Sequence, residues 1–279
     1  MSRGAGCLVK VLEDRALPNV SPTTWVVNIP GPPRPCAKND HVAWASHLFE
    51  GTAISGVAAW LSYRLGALNP SGAWTAALVG TLLVAEGGWT WFFLMGTFFA
   101  TASVLTRLDL AGGRSPRRSA DLGGRRWDQV VANGGIAVLA ALAHGIIGWP
   151  AAFGAAAGAI AAATADTWGT EIGRWSTSAP RLITTWRIVF HGDSGGITPL
   201  GTAGAAGGAA LIGSVAALVA PDVPGHPLFP LVFGGGLSGA LLDSLLGATV
   251  ERRYRWMSNS LVNLIATAWG AAVVTAGLG

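Results

Sequence analysis

Apolar residues run through this chain in blocks of near membrane-crossing length, and polar residues gather at the block ends. The pattern predicts about eight spans: roughly 43 to 63, 70 to 87, 89 to 106, 127 to 147, 149 to 167, 197 to 219, 229 to 250 and 259 to 278. Backbone groups in lipid must pair within their own segment, and the runs lack the alternation of a barrel strand. The expected fold is therefore all-α, a polytopic membrane helical bundle forming a single domain over residues 43–279. His47, Glu50 and Arg64 interrupt the first span, so an interfacial helix competes with a crossing there. Residues 1–42 are Pro-rich and mixed in charge, with no apolar core long enough for a signal peptide. They read as a loosely ordered tail or an overextended start.

Composition supports the membrane reading. Charged residues make up 11% of the chain and hydrophobic ones 51%, far from the roughly one-quarter charge of a soluble domain. The glycines lie inside apolar segments, often four apart as at Gly154/Gly158 and Gly204/Gly208, a spacing that lets helices pack closely in lipid. Cys7 and Cys36 have no metal-ligand spacing and receive no role. The formal charge of +4 would invite a nucleic-acid partner in a soluble protein, but here the placement of the charges matters more. After Arg64, the arginines form three clusters: Arg107 to Arg126, Arg174 to Arg187, and Arg252 to Arg255. The intervening connectors have none. Alternate loops are thus basic, which puts the clusters on the cytoplasmic side of a plasma (inner) membrane and the amino-terminal tail and carboxyl terminus opposite.

Acidic and amide residues collect where spans meet that arginine-bearing side. Asp166 and Glu171 follow a charge-free run from Ala151 to Ala165, and Asp243 lies inside another apolar stretch. Ionisable groups at such positions are costly unless they serve a purpose. Gln129 and Asn133 share a helix face, as do Asn259 and Asn263, Asp166 and Thr170, and Thr167 and Glu171. Carboxylates and amides suit a hard cation that keeps part of its water shell, and arginine forks bind phosphate oxygens in pairs. The run Gly192, Asp193, Ser194, Gly195, Gly196 precedes the sixth span and offers backbone N–H groups to an anion, without the lysine of a P-loop. Each feature also has a plain structural reading: a salt bridge to Arg126 or Arg187, a turn, interhelical hydrogen bonding, or a topology signal. Their convergence on one face is what favours chemistry.

Four motifs carry a resemblance from about residue 60 to the end. They are Gly124-Arg125-Arg126-Trp127-Asp128-Gln129 through Gly135, Ala165-Asp166-Thr167-Trp168-Gly169-Thr170-Glu171 through Gly173, Gly195-Gly196-Ile197-Thr198-Pro199 through Thr202, and Asp243-Ser244-Leu245-Leu246-Gly247 through Thr249. In order and spacing the chain resembles an integral-membrane domain-of-unknown-function family that includes plant phytyl-phosphate kinase and the animal transmembrane protein 19 group. Gly169-Thr170 stands where that family often has a small residue then serine, and Glu251-Arg252 where glutamine is frequent. A fainter similarity links Asp243-Ser244 through Arg253 to the CDP-diacylglycerol synthases.

The resemblance implies a membrane-embedded isoprenoid-phosphate kinase that transfers a phosphoryl group from a nucleoside triphosphate, with CTP favoured, to a prenyl or phytyl monophosphate. The expected metal is Mg2+, with Mn2+ as a substitute, held by Asp166, Glu171 and Asp243 together with Asp193. Arg125, Arg126 and Arg187 are expected to neutralise the triphosphate. Gln129, Asn133, Asn259 and Asn263 are expected to orient nucleotide or metal waters, and Gly192, Ser194, Gly195 and Gly196 to take a phosphate. The alternatives are a CTP-dependent lipid-phosphate cytidylyltransferase and, in another class, a transporter or flippase of a lipid-linked phosphate. The transporter predicts polar residues spread across the bilayer midplane.

Overall fold

The structure, a computed structural model, describes residues 37–112, 123–220 and 227–279. The expected tail as far as residue 36, both cysteines, and Arg114, Arg117 and Arg118 lie outside these. The chain divides into two units, Met1–Asp40 and His41–Gly279, and the second holds everything discussed below.

Eight α-helices are present among the described residues: α1 (Ala37–Arg64), α2 (Pro70–Leu82), α3 (Trp89–Gly112), α4 (Trp127–Ile147), α5 (Ala152–Gly173), α6 (Pro199–Val219), α7 (Leu228–Leu246) and α8 (Asn259–Leu278). A π-helical turn extends α2 over Leu83–Gly87, and another extends α7 over Gly247–Glu251. Two two-residue strands, β1 (Arg181–Leu182) and β2 (Gly196–Ile197), pair antiparallel between α5 and α6, with Arg181 opposite Ile197 and Leu182 opposite Gly196. Helix starts follow local chemistry. Asn69 caps α2 by accepting from the Gly72 N–H at 2.8 Å, and Thr198 caps α6 by accepting from Gly201 at 3.0 Å. Each cap is followed by proline at the first helical position, whose missing N–H would have gone unpaired.

Five helices, α3, α4, α6, the α7 segment Leu228–Glu251, and α8, have the length and apolarity of a membrane crossing. The other three depart from that pattern for separate reasons. α1 carries charges along its length, and α2 has only 13 residues before its π turn. α5 is the hub, packed against α3, α4, α6, α7 and α8. Every residue from 154 to 165 is buried, and the segment is almost entirely alanine and glycine. A helix walled off by neighbours needs small side chains more than strong hydropathy. The expected fifth span of 149–167 also ends too early, since α5 continues to Gly173 and carries Glu171 into the bundle.

α5 and α8 approach each other through glycine. A Cβ on Gly158 would overlap the Gly270 carbonyl, and one on Gly270 would meet the Gly158 carbonyl in return. Backbone contact of this kind leaves no room for a side chain on either helix. Gly270→Val is expected to lower stability by about 1–3 kcal/mol through overpacking, read as a lower midpoint of thermal unfolding in detergent. Gly56→Ala, whose added Cβ meets nothing within 4 Å, is expected to leave the midpoint unchanged or raise it slightly.

Candidate active site

Chain alternation brings the carboxyl ends of α1, α3, α5 and α7 to one end of the bundle with the amino ends of α2, α4, α6 and α8. A cavity of about 570 Å³ opens there, within the usual range for a ligand site. Its floor is built from the last two turns of α5, where Asp166, Thr167, Thr170 and Glu171 share one face. Asp243 and Ser244 come from α7, Gln129 and Asn133 from α4, and Asn259 and Asn263 from α8.

Four carboxylates, Asp166, Glu171, Asp243 and Glu251, line this cavity. Asp166 faces Asp243, and both feel the charge of Glu251; Glu171 adds to the field at Asp166. Glu171 is buried and accepts a hydrogen bond from Thr106 Oγ1 on α3 at 2.8 Å. Asp243 Oδ2 and Asn263 Oδ1 are both buried with no hydrogen-bond partner. Buried oxygens left unpaired in this way are rare and costly. The π turn immediately after α7 brings Glu251 toward Asp243, the kind of helix irregularity often found at functional sites.

Guanidiniums form the rim. Arg107 on α3 lines the cavity and donates to the Leu65 carbonyl at 2.8 Å. Arg126 lines it beside Asp128, at 3.2 Å from its Oδ1, and Arg174 lines it from a buried position at the end of α5. Arg125 is held by its backbone to the α1–α2 connector, with Asn69 N–H donating to its carbonyl at 3.1 Å and its own N–H donating to Ala67 at 3.0 Å. Its guanidinium lies 5.6 Å from the Phe98 ring centre and 5.8 Å from that of Phe99.

The roof is the loop carrying β1 and β2. Gly195 has a left-handed φ of 79°, and a Cβ there would overlap Ala248, so the glycine run docks directly on the π turn. Asp193 fastens it: its Oδ2 accepts from Phe190 N–H at 3.2 Å and from Arg252 at 3.3 Å. Gly192, Asp193, Ser194, Gly195 and Gly196 all line the cavity. They face it from a strapped loop rather than from the helix start, because β2 intervenes before α6.

The structure therefore brings together Asp166, Glu171, Asp243, Asp193, Arg125, Arg126, Gln129, Asn133, Asn259, Asn263 and the glycine run. Arg187 stands apart. It is exposed in the turn after β1, where its carbonyl accepts from Leu182 N–H at 2.9 Å, and it does not line the cavity. Gln129 has a local task as well, since its Oε1 accepts from the Arg126 N–H at 3.0 Å and caps α4. Sequence reasoning passed over Thr106, Arg174, Glu251 and the Asp128–Ser260 pair, whose hydrogen bond of 2.8 Å joins α4 to α8. Asp128 had a signal, lying inside a quoted motif. Thr106 had none, because its partner is 65 residues away.

No group of three or more His, Cys, Asp or Glu side chains converges as a ready ion cage among the described residues. The donor set nevertheless fits a magnesium ion. Magnesium is commonly held by one or two carboxylates, with substrate phosphates and waters completing its shell. The unpartnered oxygens of Asp243 and Asn263 supply hard donors beside Asp166.

Comparisons with known proteins agree on the membrane class. The chain is 34% identical over 226 residues to "Protein PGR" of Arabidopsis thaliana, covering 71% of this chain and 77% of that protein. It is also 34% identical over 226 residues to an uncharacterized membrane protein of Methanocaldococcus jannaschii, covering 81% and 92%. An uncharacterized membrane protein of Synechocystis is 29% identical over 245 residues, covering 82% and 89%. No solved structure matches. The family model described as integral membrane protein DUF92 matches residues 53–271, and the chain belongs to that family.

Proposed function

We propose that this protein is a lipid-phosphate kinase of the isoprenoid class, transferring the γ-phosphoryl group of a nucleoside triphosphate, CTP by preference, to a prenyl monophosphate. The observation that carries the reading is the buried, unpartnered carboxylate oxygen of Asp243 beneath an arginine rim. Such a floor attracts a divalent cation, and such a rim attracts polyphosphate. A lipid monophosphate oxygen is already a competent nucleophile, so no general base is required. It attacks the γ-phosphorus, a new P–O–P link forms, the bond to the β–γ bridging oxygen breaks, and the nucleoside diphosphate departs.

Each group in the cavity has a task in this step. Asp166 and Asp243 would hold Mg2+ with Asn263, and the ion would neutralise charge on the phosphate oxygens. Arg126 and Arg174 bind equatorial oxygens, where charge spreads in the transition state. Glu171 is positioned by Thr106 and orients the floor. The strapped glycine loop covers the cavity from the solvent side and limits water as a competing acceptor. The arginine-bearing end faces the cytoplasm under the positive-inside pattern, and nucleotide is supplied there.

Purified protein supplied with Mg2+, CTP and a prenyl monophosphate is expected to yield the prenyl diphosphate and CDP, identified by product mass. CDP-linked lipid plus pyrophosphate would instead identify a cytidylyltransferase. Absence of turnover with any prenyl or acyl phosphate would overturn the reading. Removing divalent ions with EDTA is expected to abolish turnover, and added Mg2+ to restore it.

Asp243→Asn separates function from folding. It removes one of two facing carboxylates, so activity is expected to fall by about 100-fold or more, on the scale of deleting one preorganised electrostatic group. The thermal midpoint of the metal-free protein is expected to stay at or near its starting value, because asparagine keeps the volume and can still hydrogen-bond Asp166. A variant that kept full activity, or that unfolded more easily without metal, would contradict the assignment.

A further inference from the structure

A second, smaller cavity of about 110 Å³ lies between α1, α2, α3 and α4, and its lining is almost wholly apolar. It shares Arg125 and Asn133 with the polar cavity. On α3 its wall extends from Phe99 back to Phe92, seven residues or about 10 Å by helical rise. The crevice thus leads from the arginine-bearing end toward the middle of the bundle. Arg125 stands at the junction, its guanidinium against Phe98 and Phe99, which are crevice walls. One cation therefore borders the polar cavity on one side and an apolar crevice on the other.

We propose that this crevice is the tail site of the lipid substrate, holding the hydrocarbon next to the phosphate while Arg125 grips the phosphate itself. The inference rests on the lipid-phosphate reading of the polar cavity and adds where the chain lies. Continuity through Arg125 and Asn133 supplies the reason to commit to this occupant: a molecule bound across both spaces must be anionic at one end and apolar at the other. Gly96 lines the crevice, and a Cβ added there meets nothing within 4 Å, so a larger side chain can be placed at this wall without an immediate backbone clash.

The test uses the full chain in detergent with geranylgeranyl monophosphate and dimethylallyl monophosphate as long and short probes, measuring Kd by titration and kcat/KM by product mass. Gly96→Phe is expected to weaken the long probe relative to the short one by about tenfold or more, the scale on which apolar pockets discriminate. Gly96→Ala is expected to give an intermediate ratio, which guards against a folding artefact in the larger variant. Leu139→Phe, on an exposed face of α4 outside both cavities, is expected to leave the ratio at its starting value. An unchanged ratio in Gly96→Phe, or equal losses for both probes, would overturn the tail site. Long-probe binding without turnover would defeat the kinase reading alone, leaving the Gly96→Phe Kd ratio to judge the tail site. Failure of the original protein to bind either probe would defeat both.

Discussion

Burial of α5 on every side is the constraint on which the rest of the structure depends. Five helices surround it, and they can do so only because its middle carries alanine and glycine, letting backbones approach as they do at Gly158 and Gly270. Asp166 and Glu171 lie just beyond the enclosed stretch, on turns that this packing anchors at the wall of the polar cavity. The fixed position of Asp166 relative to Asp243 is a consequence of packing far below it, which is how core composition reaches the site.

That fixity has an electrostatic cost. Asp166 and Asp243 share a side-chain hydrogen bond and lie in each other's field and that of Glu251, and Asp243 also keeps one oxygen without a partner. Nothing in packing requires this arrangement. Amides would fill nearly the same volume without the charge. Sites that retain such tension commonly use it, because a ligand of opposite charge relieves it on binding and gains affinity from the relief. Asn263, whose oxygen is likewise unpartnered, fits the same account.

The outline of this site was legible in the sequence because helical spacing is local information. Gln129 and Asn133, Asn259 and Asn263, and the pairs around Asp166 and Glu171 each declare a shared face without knowledge of neighbours. The arginine clusters then tell which ends of the helices lie together. Span boundaries were legible to within a few residues for α4 and α8, where polar residues mark the ends. They failed for α5, because an interior helix does not stop at the hydrophobic boundary. Arg187 lies off the cavity for a related reason: its cluster neighbour Arg174 follows directly on a helix that reaches the site, whereas Arg187 follows the turn after β1 and is exposed. Nor did a five-residue glycine run disclose that it would dock on a π turn fifty residues later. Contacts such as Thr106 with Glu171 are set by tertiary packing alone.

The same geometry bears on transport. A carrier must let a charged group pass the midplane, and it requires an opening that alternates between the two ends. Here the middle of the bundle is filled by the buried stretch of α5, and α5 and α8 touch through their backbones. The far end is closed by a different set of contacts: Trp44 donates to Glu86 at 3.0 Å, and Trp91 packs against His144 and Phe153. Opening a path would mean separating helices that touch through their backbones. A cavity at one end of the bundle, lined by carboxylates and arginines, asks for no such motion. The proposed kinase reading needs only two adjoining spaces, one polar and one apolar, and the cavities that meet at Arg125 and Asn133 are such a pair.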